Sequence, residues 1–166
     1  LTEDGMVIIK LFLAIDKKEQ KKRFDRLLAS RDTAWRVTKG DLRRNEKFDK
    51  YQEMNEEMLA RTDTEKAPWH IVEAVDRRFA TVKIYSIVEE MLARQIEKVE
   101  GSLADDRAGT DAAETKELME SILGKGDLSL SCGREEYERE LKVLQNRIRE
   151  LHGELYRRRI PVVLGF

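Results

Sequence analysis

Four cationic side chains stand close together in the sequence, at Arg36, Lys39, Arg43 and Arg44. An arginine guanidinium matches phosphate oxygens in pairs, whereas a lysine ammonium adds a mobile point charge. Each charge-assisted hydrogen bond contributes roughly 1.5–3 kcal/mol, and a mobile loop carrying several such groups can close over a phosphate chain and exclude water. The cluster therefore indicates an anionic ligand. On charge alone, the alternative is a solvated basic surface.

The cluster belongs to a wider region of positive charge. From Asp16 to Arg44 the sequence has eleven Lys and Arg against five Asp and Glu, a local excess of six, although the whole chain has a formal net charge of −1. Such a local excess concentrates anionic ligands. The region follows the apolar run from Met6 to Ile15, which predicts a strand covered on both faces. Because parallel sheets bind ligands at the carboxyl ends of their strands, the charge stands where a ligand is expected.

The elements that position these cations can be predicted from local signals. Asp16 has the place of an N-cap, with Glu19 three residues later, and predicts that a helix follows the strand. Residues 31–40 are expected to form a loop. Asp41 should then cap a second long helix that runs to about Arg61.

A second strand is predicted after Pro68, over Trp69-His70-Ile71-Val72, and Asp76 should cap the long apolar helix that follows it. The two tryptophans, Trp35 and Trp69, are expected to pack in the fold rather than to serve as platforms for nucleotide bases.

The remaining sequence predicts two connections, a long helix and a last strand. Residues 101–111 and 124–133 are linker-like, with a short helix expected over 112–123 between them. The final strand is expected over residues 160–166, after the long helix. That helix has apolar residues at spacings of 4, 3, 4, 3 and 4, which form a heptad seam: Tyr137, Leu141, Leu144, Ile148, Leu151 and Leu155.

Several kinds of protein and site are not indicated. The sequence has no G-x-x-x-x-G-K phosphate loop, no G-x-G-x-x-G and no H-E-x-x-H, and its two histidines, His70 and His152, lie far apart. The single Cys132 excludes an internal disulfide and is typical of a reducing cytoplasm. No secretory signal opens the chain, and no apolar run approaches the roughly 20 residues that cross a membrane. We therefore expect a cytoplasmic protein without a membrane segment.

Three strings carry a resemblance to a known family: VIIKLFLAIDKKEQKKRF, TAWRVTKGD and ARTDTEKAPWHIVEAVDRR. In this order and spacing they resemble the polyphosphate kinase 2 family, and most closely its two-domain members, the polyphosphate:AMP phosphotransferases. The resemblance covers about residues 5–97. It implies a P-loop kinase fold with a parallel sheet and a helical lid. It also implies phosphoryl transfer from polyphosphate to a nucleotide, with magnesium as the cofactor.

The resemblance also implies roles for individual residues. Arg36 and Lys39 would lie on the lid, with Arg43 and Arg44 at the start of its helix, and all four would contact polyphosphate. Lys22 and Arg23 match the basic pair on the helix that leads into the lid, and they too would contact polyphosphate.

A second group matches the charged turn close to the nucleotide: Asp76, Arg77 and Arg78. For these two arginines the alternative is ordinary surface charge at the start of a helix. No metal ligand and no catalytic residue is expected within the chain itself.

The tail resembles the opening of another copy of the same domain. We therefore expect an α/β fragment made of the C-terminal half of one domain over residues 1–100, a linker over 101–133 and the edge of a second domain over 134–166. Both Walker segments would lie outside it, so the parent would make ADP from AMP while the fragment alone would be inactive.

The alternative is a non-enzymatic helical interaction module that uses the heptad seam, with a possible homo-oligomer. Nucleic-acid binding is a third and weaker option, because the aromatic residues typical of single-strand readers are sparse.

Overall fold

A computed structural model describes residues 5–102 and 123–165. Three parallel strands form one sheet in the order β2-β1-β3, and the predicted α/β class with a parallel sheet is confirmed. The strands are β1 (Val7–Ala14), β2 (Trp69–Glu73) and β3 (Val162–Gly165); the helices are α1 (Lys17–Leu28), α2 (Lys39–Glu46), α3 (Phe48–Thr62), α4 (Arg77–Ser102) and α5 (Arg134–Arg158).

The core lies on one face of the sheet, beneath α4 and α5. Ile9 and Leu11 of β1 and Val72 of β2 are completely buried there, because their alternate positions bring the three side chains to the same face. Leu92 of α4 and Leu155 of α5 close the cluster from above. Burying a large aliphatic side chain contributes about 1.5–3 kcal/mol, so this face holds the helices on the sheet.

Helix α5 lies along α4. The end of the heptad seam enters the shared core, with Leu151 and Leu155 buried. Two ion pairs also link the helices, Arg147 to Glu89 and Arg158 to Glu100. Pairs at this degree of exposure contribute little. The apolar seam is therefore the main attachment of α5.

Residues 134–165 thus share a sheet and a core with residues 5–102. Strand β3 pairs with β1 in the register Val7 to Val162 and Lys10 to Gly165. The division into two domains stays a prediction. Most of the helix expected over residues 112–123 and most of the linker expected over 101–111 lie outside the described residues, whereas α4 extends through the start of that linker to Ser102.

The chain turns sharply between α5 and β3. The amide of Ile160 donates to the carbonyl of Leu155 at 3.0 Å and that of Arg159 to Tyr156 at 3.2 Å, the pair of bonds of a Schellman motif. Arg159 has φ 56°, the left-handed conformation that usually belongs to glycine at this position. An L-residue with a side chain pays roughly 1–2 kcal/mol for this conformation.

Strand β3 is the exposed edge of the sheet. Val162, Val163 and Leu164 are 39%, 47% and 41% exposed, and on its outer side β3 has no strand neighbour in the part of the chain described. The strand therefore leaves apolar side chains and backbone polar groups open to solvent together.

The predicted long helix from Asp41 to Arg61 is wrong in its start and its continuity. The structure has two helices, α2 and α3, which meet at Lys47 with φ −96° and ψ 25°. The N-cap is Thr38, whose hydroxyl accepts from the amide of Asp41, and the Asp41 carboxylate accepts in return from the amide of Thr38. Asp41 is thus the N3 residue of a capping box and not its N-cap. The loop expected over residues 31–40 contains a 3₁₀ turn, Ala34–Arg36.

Other local predictions are confirmed. The strands over residues 7–14 and 69–73 are present, and Asp16 and Asp76 cap α1 and α4 through the amides of Glu19 and Phe79. None of the helices in residues 5–102 and 123–165 has the length and apolar character to cross a membrane.

His70 is the polar side chain that faces the helices from β2. Its Nε2 is buried and has no hydrogen-bond partner in the described structure. Burial lowers the pKa of His70, and Arg94 and Lys83 lower it further, while Glu90 and Asp63 raise it. The folded protein therefore favours the neutral imidazole.

We expect Arg159→Gly to raise the free energy of unfolding by about 0.5–1 kcal/mol, because glycine adopts the left-handed conformation without steric cost but adds entropy to the unfolded chain. Arg157→Gly, two residues earlier inside α5, should instead lower it by about 1 kcal/mol. Both variants remove one arginine from the same helix end, and urea unfolding measures both. A loss of stability in Arg159→Gly equal to that in Arg157→Gly would contradict the assigned turn.

The contribution of His70 to the free energy of unfolding should depend on pH. Because its folded pKa is lowered, the unfolded chain takes up the proton first as the pH falls below the ordinary value of about 6.5. The stability that neutral His70 provides is complete above that pH and is lost below it. The stability difference between wild type and His70→Gln should therefore change between pH 7.5 and 5, measured by urea unfolding. His152→Gln, at an exposed position, should run parallel to wild type.

Candidate functional site

The carboxyl ends of β1 and β2 lie side by side and form the base of the site. The amide of Ala74, just after β2, donates to the carbonyl of Ala14 at the end of β1 at 2.8 Å. Helix α1 starts from the first strand and α4 from the second. Because both helices start at this edge, α1 and the first turns of α4 border the same space.

A cavity of about 520 Å³ opens between α1 and the first turns of α4. Three arginines and one carboxylate stand on its wall, and the apolar ends of the strands and of α4 form the remainder. The lining residues are Leu13, Glu19, Arg23, Arg26, Ala74, Val75, Arg77, Ala80, Thr81 and Ile84. The cavity is thus a basic cleft with an apolar floor.

Arg23 connects the two sides of the cavity. Its Nη2 donates to the carbonyls of Ala74 at 2.6 Å and Val75 at 3.2 Å, and its Nε donates to Glu19 at 2.9 Å. The hydrogen bond from Arg23 lowers the pKa of Glu19, and the nearby charge of Lys22 lowers it further. Three of the five N–H donors of this guanidinium are therefore occupied by the protein.

Arg26 and Arg77 differ from Arg23. Both are exposed, and within residues 5–102 and 123–165 neither side chain has a hydrogen bond or an ion pair. Arg26 follows Arg23 by three residues, which places both on one face of α1. These two guanidinium groups are therefore available to an anion in the cavity.

A second basic surface is formed by residues 31–44, the 3₁₀ turn and α2. The structure describes all of them, and none is buried. Arg36, Lys39 and Arg43 are exposed and have no ion-pair partner among the described residues. Arg44 differs, because it donates to Asp41 at 2.6 Å.

Polar contacts hold this surface to α1. Asn45, directly after the surface, is buried and donates to the carbonyl of Lys17 at 3.1 Å and to the side chain of Gln20 at 2.9 Å. At the other end, the Thr33 hydroxyl donates to the carbonyl of Leu27 at 2.7 Å. A segment fastened by a few hydrogen bonds, without buried apolar residues, belongs to the less stable part of a fold.

The structure therefore divides the predicted site residues into groups. Arg23 and Arg77 line the cavity, whereas Arg36, Lys39, Arg43 and Arg44 do not. Lys22 forms an ion pair with Glu19 at 3.6 Å. Asp76 caps α4, and Arg78 is exposed outside the cavity lining.

Two residues of the site were not predicted. Arg26 was one cation among many in a basic helix, and only its spacing from Arg23 could have singled it out. Asn45 fell within the single helix expected from Asp41, so its contact with α1 was not predicted. The prediction for Trp35 is wrong, since its side chain is 76% exposed and donates to the carbonyl of Asp32. Trp69 packs as expected, with the Lys10 ammonium 5.1 Å from its ring centre.

The described residues do not offer a metal site. No three His, Cys, Asp or Glu side chains come together within residues 5–102 and 123–165. Glu73, the buried carboxylate at the end of β2, is paired with the Lys83 ammonium at 2.5 Å. Magnesium in proteins is usually held by one or two carboxylates together with waters and substrate phosphates. Glu19 on the cavity wall and Glu73 are both paired with cations, so they do not fit the cofactor that the resemblance implies.

Known proteins similar to this chain include two curated relatives. A polyphosphate:AMP phosphotransferase of Pseudomonas aeruginosa is 37% identical over 98 residues, which are 59% of this chain and 20% of that protein. One of Pseudomonas syringae pv. tomato is 29% identical over 148 residues, 89% of this chain and 29% of that protein. The chain thus spans less than a third of either relative.

A crystal structure of polyphosphate kinase 2 from Arthrobacter aurescens TC1 is also similar, with 29% identity and a TM-score of 0.45, and the match covers 68% of this chain and 37% of that one. The family model for polyphosphate kinase 2 matches residues 1–100, more than half of the chain and the whole of the first basic region. The chain belongs to the polyphosphate kinase 2 family.

Proposed function

We propose that this chain supplies the polyphosphate-binding part of a phosphotransferase that moves a phosphoryl group from polyphosphate to a nucleotide. The family supports this proposal, and so do the names of the two relatives. The observation that carries it is the set of exposed cations without partners on residues 31–44. Cations that belong to a structural ion-pair network are paired within the protein. The cations of an anion-binding surface instead keep their hydrogen-bond donors available to the ligand.

In this proposal residues 31–44 act as a lid. Arg36 and Lys39 are the leading contacts to the phosphate chain, with Arg43 beside them. Arg44 contributes less, because its guanidinium already binds Asp41. The hydrogen-bonded attachment through Asn45 and Thr33 allows the segment to lift without exposing a core.

We further propose AMP as the acceptor, which the lid and the cavity would hold between them. The names of the two relatives support this choice. In the turn that begins α4, next to the cavity, Asp76 and Arg78 are the residues that we assign to the nucleotide side. The phosphotransferase would use magnesium, for which the described residues offer no cluster of three His, Cys, Asp or Glu side chains.

The interaction module is the less favoured function. Its heptad seam is engaged with α4 at Leu151 and Leu155, so a partner helix would have to compete with the protein's own core. A seam used for self-association is expected to remain open along its length.

We expect the 166-residue chain to bind polyphosphate with an affinity that falls as salt rises, since counterions are released from the polyanion. The double variant Arg36→Gln with Lys39→Gln should bind at least tenfold more weakly, from the loss of two charge-assisted contacts. Titration of fluorescent polyphosphate at two salt concentrations measures both effects.

The matched control is Lys142→Gln with Arg149→Gln, which removes the same charge types from exposed positions of α5. It should bind as wild type does. Equal weakening in the two double variants would mean that only net charge matters. Single-stranded DNA that displaces polyphosphate at equal concentration would argue for a general polyanion surface instead.

We also expect the isolated chain to phosphorylate no AMP. Phosphoryl transfer depends on a phosphate loop and a bound metal, and the 166 residues contain no G-x-x-x-x-G-K sequence. A coupled assay for ADP, with polyphosphate, AMP and magnesium, tests this. Robust turnover would contradict the proposal that catalysis needs segments other than these.

A further inference from the structure

We propose that the cavity between α1 and α4 is a second phosphate-binding site, in which Arg26 and Arg77 bind the anion and Arg23 is a positioning residue. The assignment rests on the proposed function and deepens it. It gives a ligand-binding role to Arg26, and it changes the role of Arg23 from ligand contact to support.

Arg23 holds the turn between β2 and α4 against α1. Its guanidinium bridges Glu19 on α1 and the carbonyls of Ala74 and Val75. Those carbonyls belong to the short turn that leads from β2 to Arg77 at the start of α4. The rigid guanidinium binds Glu19 through Nε and both carbonyls through Nη2, so it ties this turn to α1 with a planar geometry that a lysine ammonium does not have.

The guanidinium groups of Arg26 and Arg77 are available to an anion. They come from opposite sides of the cavity, one from α1 and the other from α4, and neither has a partner in the described structure. Two guanidinium groups that line one space of about 520 Å³ raise the positive potential there and so favour an anion between them. Glu19, the carboxylate on the wall, is already engaged by Arg23 and Lys22.

The chemistry of the cavity defines the ligand class. Arginine forks bind phosphoryl oxygens in pairs, and Leu13, Ala80 and Ile84 provide an apolar floor. The site therefore fits the terminal or internal phosphoryl groups of a phosphate chain, bound apart from the cations of residues 31–44. The two basic surfaces would together follow a longer chain than either alone.

The test compares conservative and neutral variants at two positions of one helix. Arg26→Gln should bind polyphosphate about tenfold more weakly, equivalent to about 1.4 kcal/mol. The slope of the logarithm of affinity against the logarithm of salt concentration should fall by about one. Arg26→Lys should recover most of the affinity, because the charge contacts the ligand. Arg149→Gln on α5 is the control and should match wild type.

At Arg23 the pattern should be the reverse. Arg23→Lys keeps the charge and should nevertheless lose as much affinity as Arg23→Gln, while keeping the wild-type salt dependence. Hydrogen exchange of the amides at residues 74–79 should speed up in both Arg23 variants and stay unchanged in Arg26→Gln. A merely structural role of Arg23 would speed up exchange without changing affinity.

Polyphosphate binding by the chain and the second site in the cavity can each fail independently of the other. If wild type binds no polyphosphate, the proposed function fails. If wild type binds and Arg26→Gln equals Arg149→Gln, the second site is wrong while the lid proposal stands. If Arg23→Lys binds as wild type does, the positioning role of Arg23 is wrong. Circular dichroism establishes folding, and the Arg26 pair decides the site even if an Arg23 variant unfolds.

Discussion

The burial of β1 is the constraint on which the remainder of the structure depends. This strand is hydrogen-bonded on both sides, to β2 and to β3, and its Ile9 and Leu11 are completely buried under α4 and α5. One strand thus orders elements that lie far apart in the sequence. Because β2 runs parallel to it, the carboxyl ends of both strands reach the same edge, and the helices that follow them must start there. The cavity is a consequence of this arrangement rather than of any contact within it.

Polar contacts position the helix that the apolar core does not hold. The core fixes α4 and α5, but α1 has no buried residue. Its position relative to β2 depends on Arg23, which reaches two backbone carbonyls, and its contact with α2 depends on Asn45. A buried polar side chain that loses its partners costs about 1–3 kcal/mol, so these two residues favour one arrangement over its neighbours. The basic surfaces are therefore held by a small number of directional bonds.

The sequence predicted what depends on local signals. The apolar run before Asp16, the caps at Asp16 and Asp76, and the periodic α5 were all readable, because each rests on neighbouring residues. The division at Lys47 and the left-handed Arg159 were not, since neither residue type marks a helix end. The pairing of β3 with β1 depends on residues about 155 positions apart, and no local pattern encodes it. Arg26 could not be singled out for the same reason, as the cavity exists only after β2 and α4 are in place.

The open side of β3 has a consequence for how the chain behaves in concentrated solution. Natural edge strands commonly carry lysine, proline or a bulge that discourages pairing with another molecule. Val162, Val163 and Leu164 carry no charge, and Pro161 precedes the strand, where it leaves the ladder intact. The short length of β3 is then its main protection against strand addition. The association of the chain with itself should accordingly depend on a four-residue strand on the side of β1 opposite to β2.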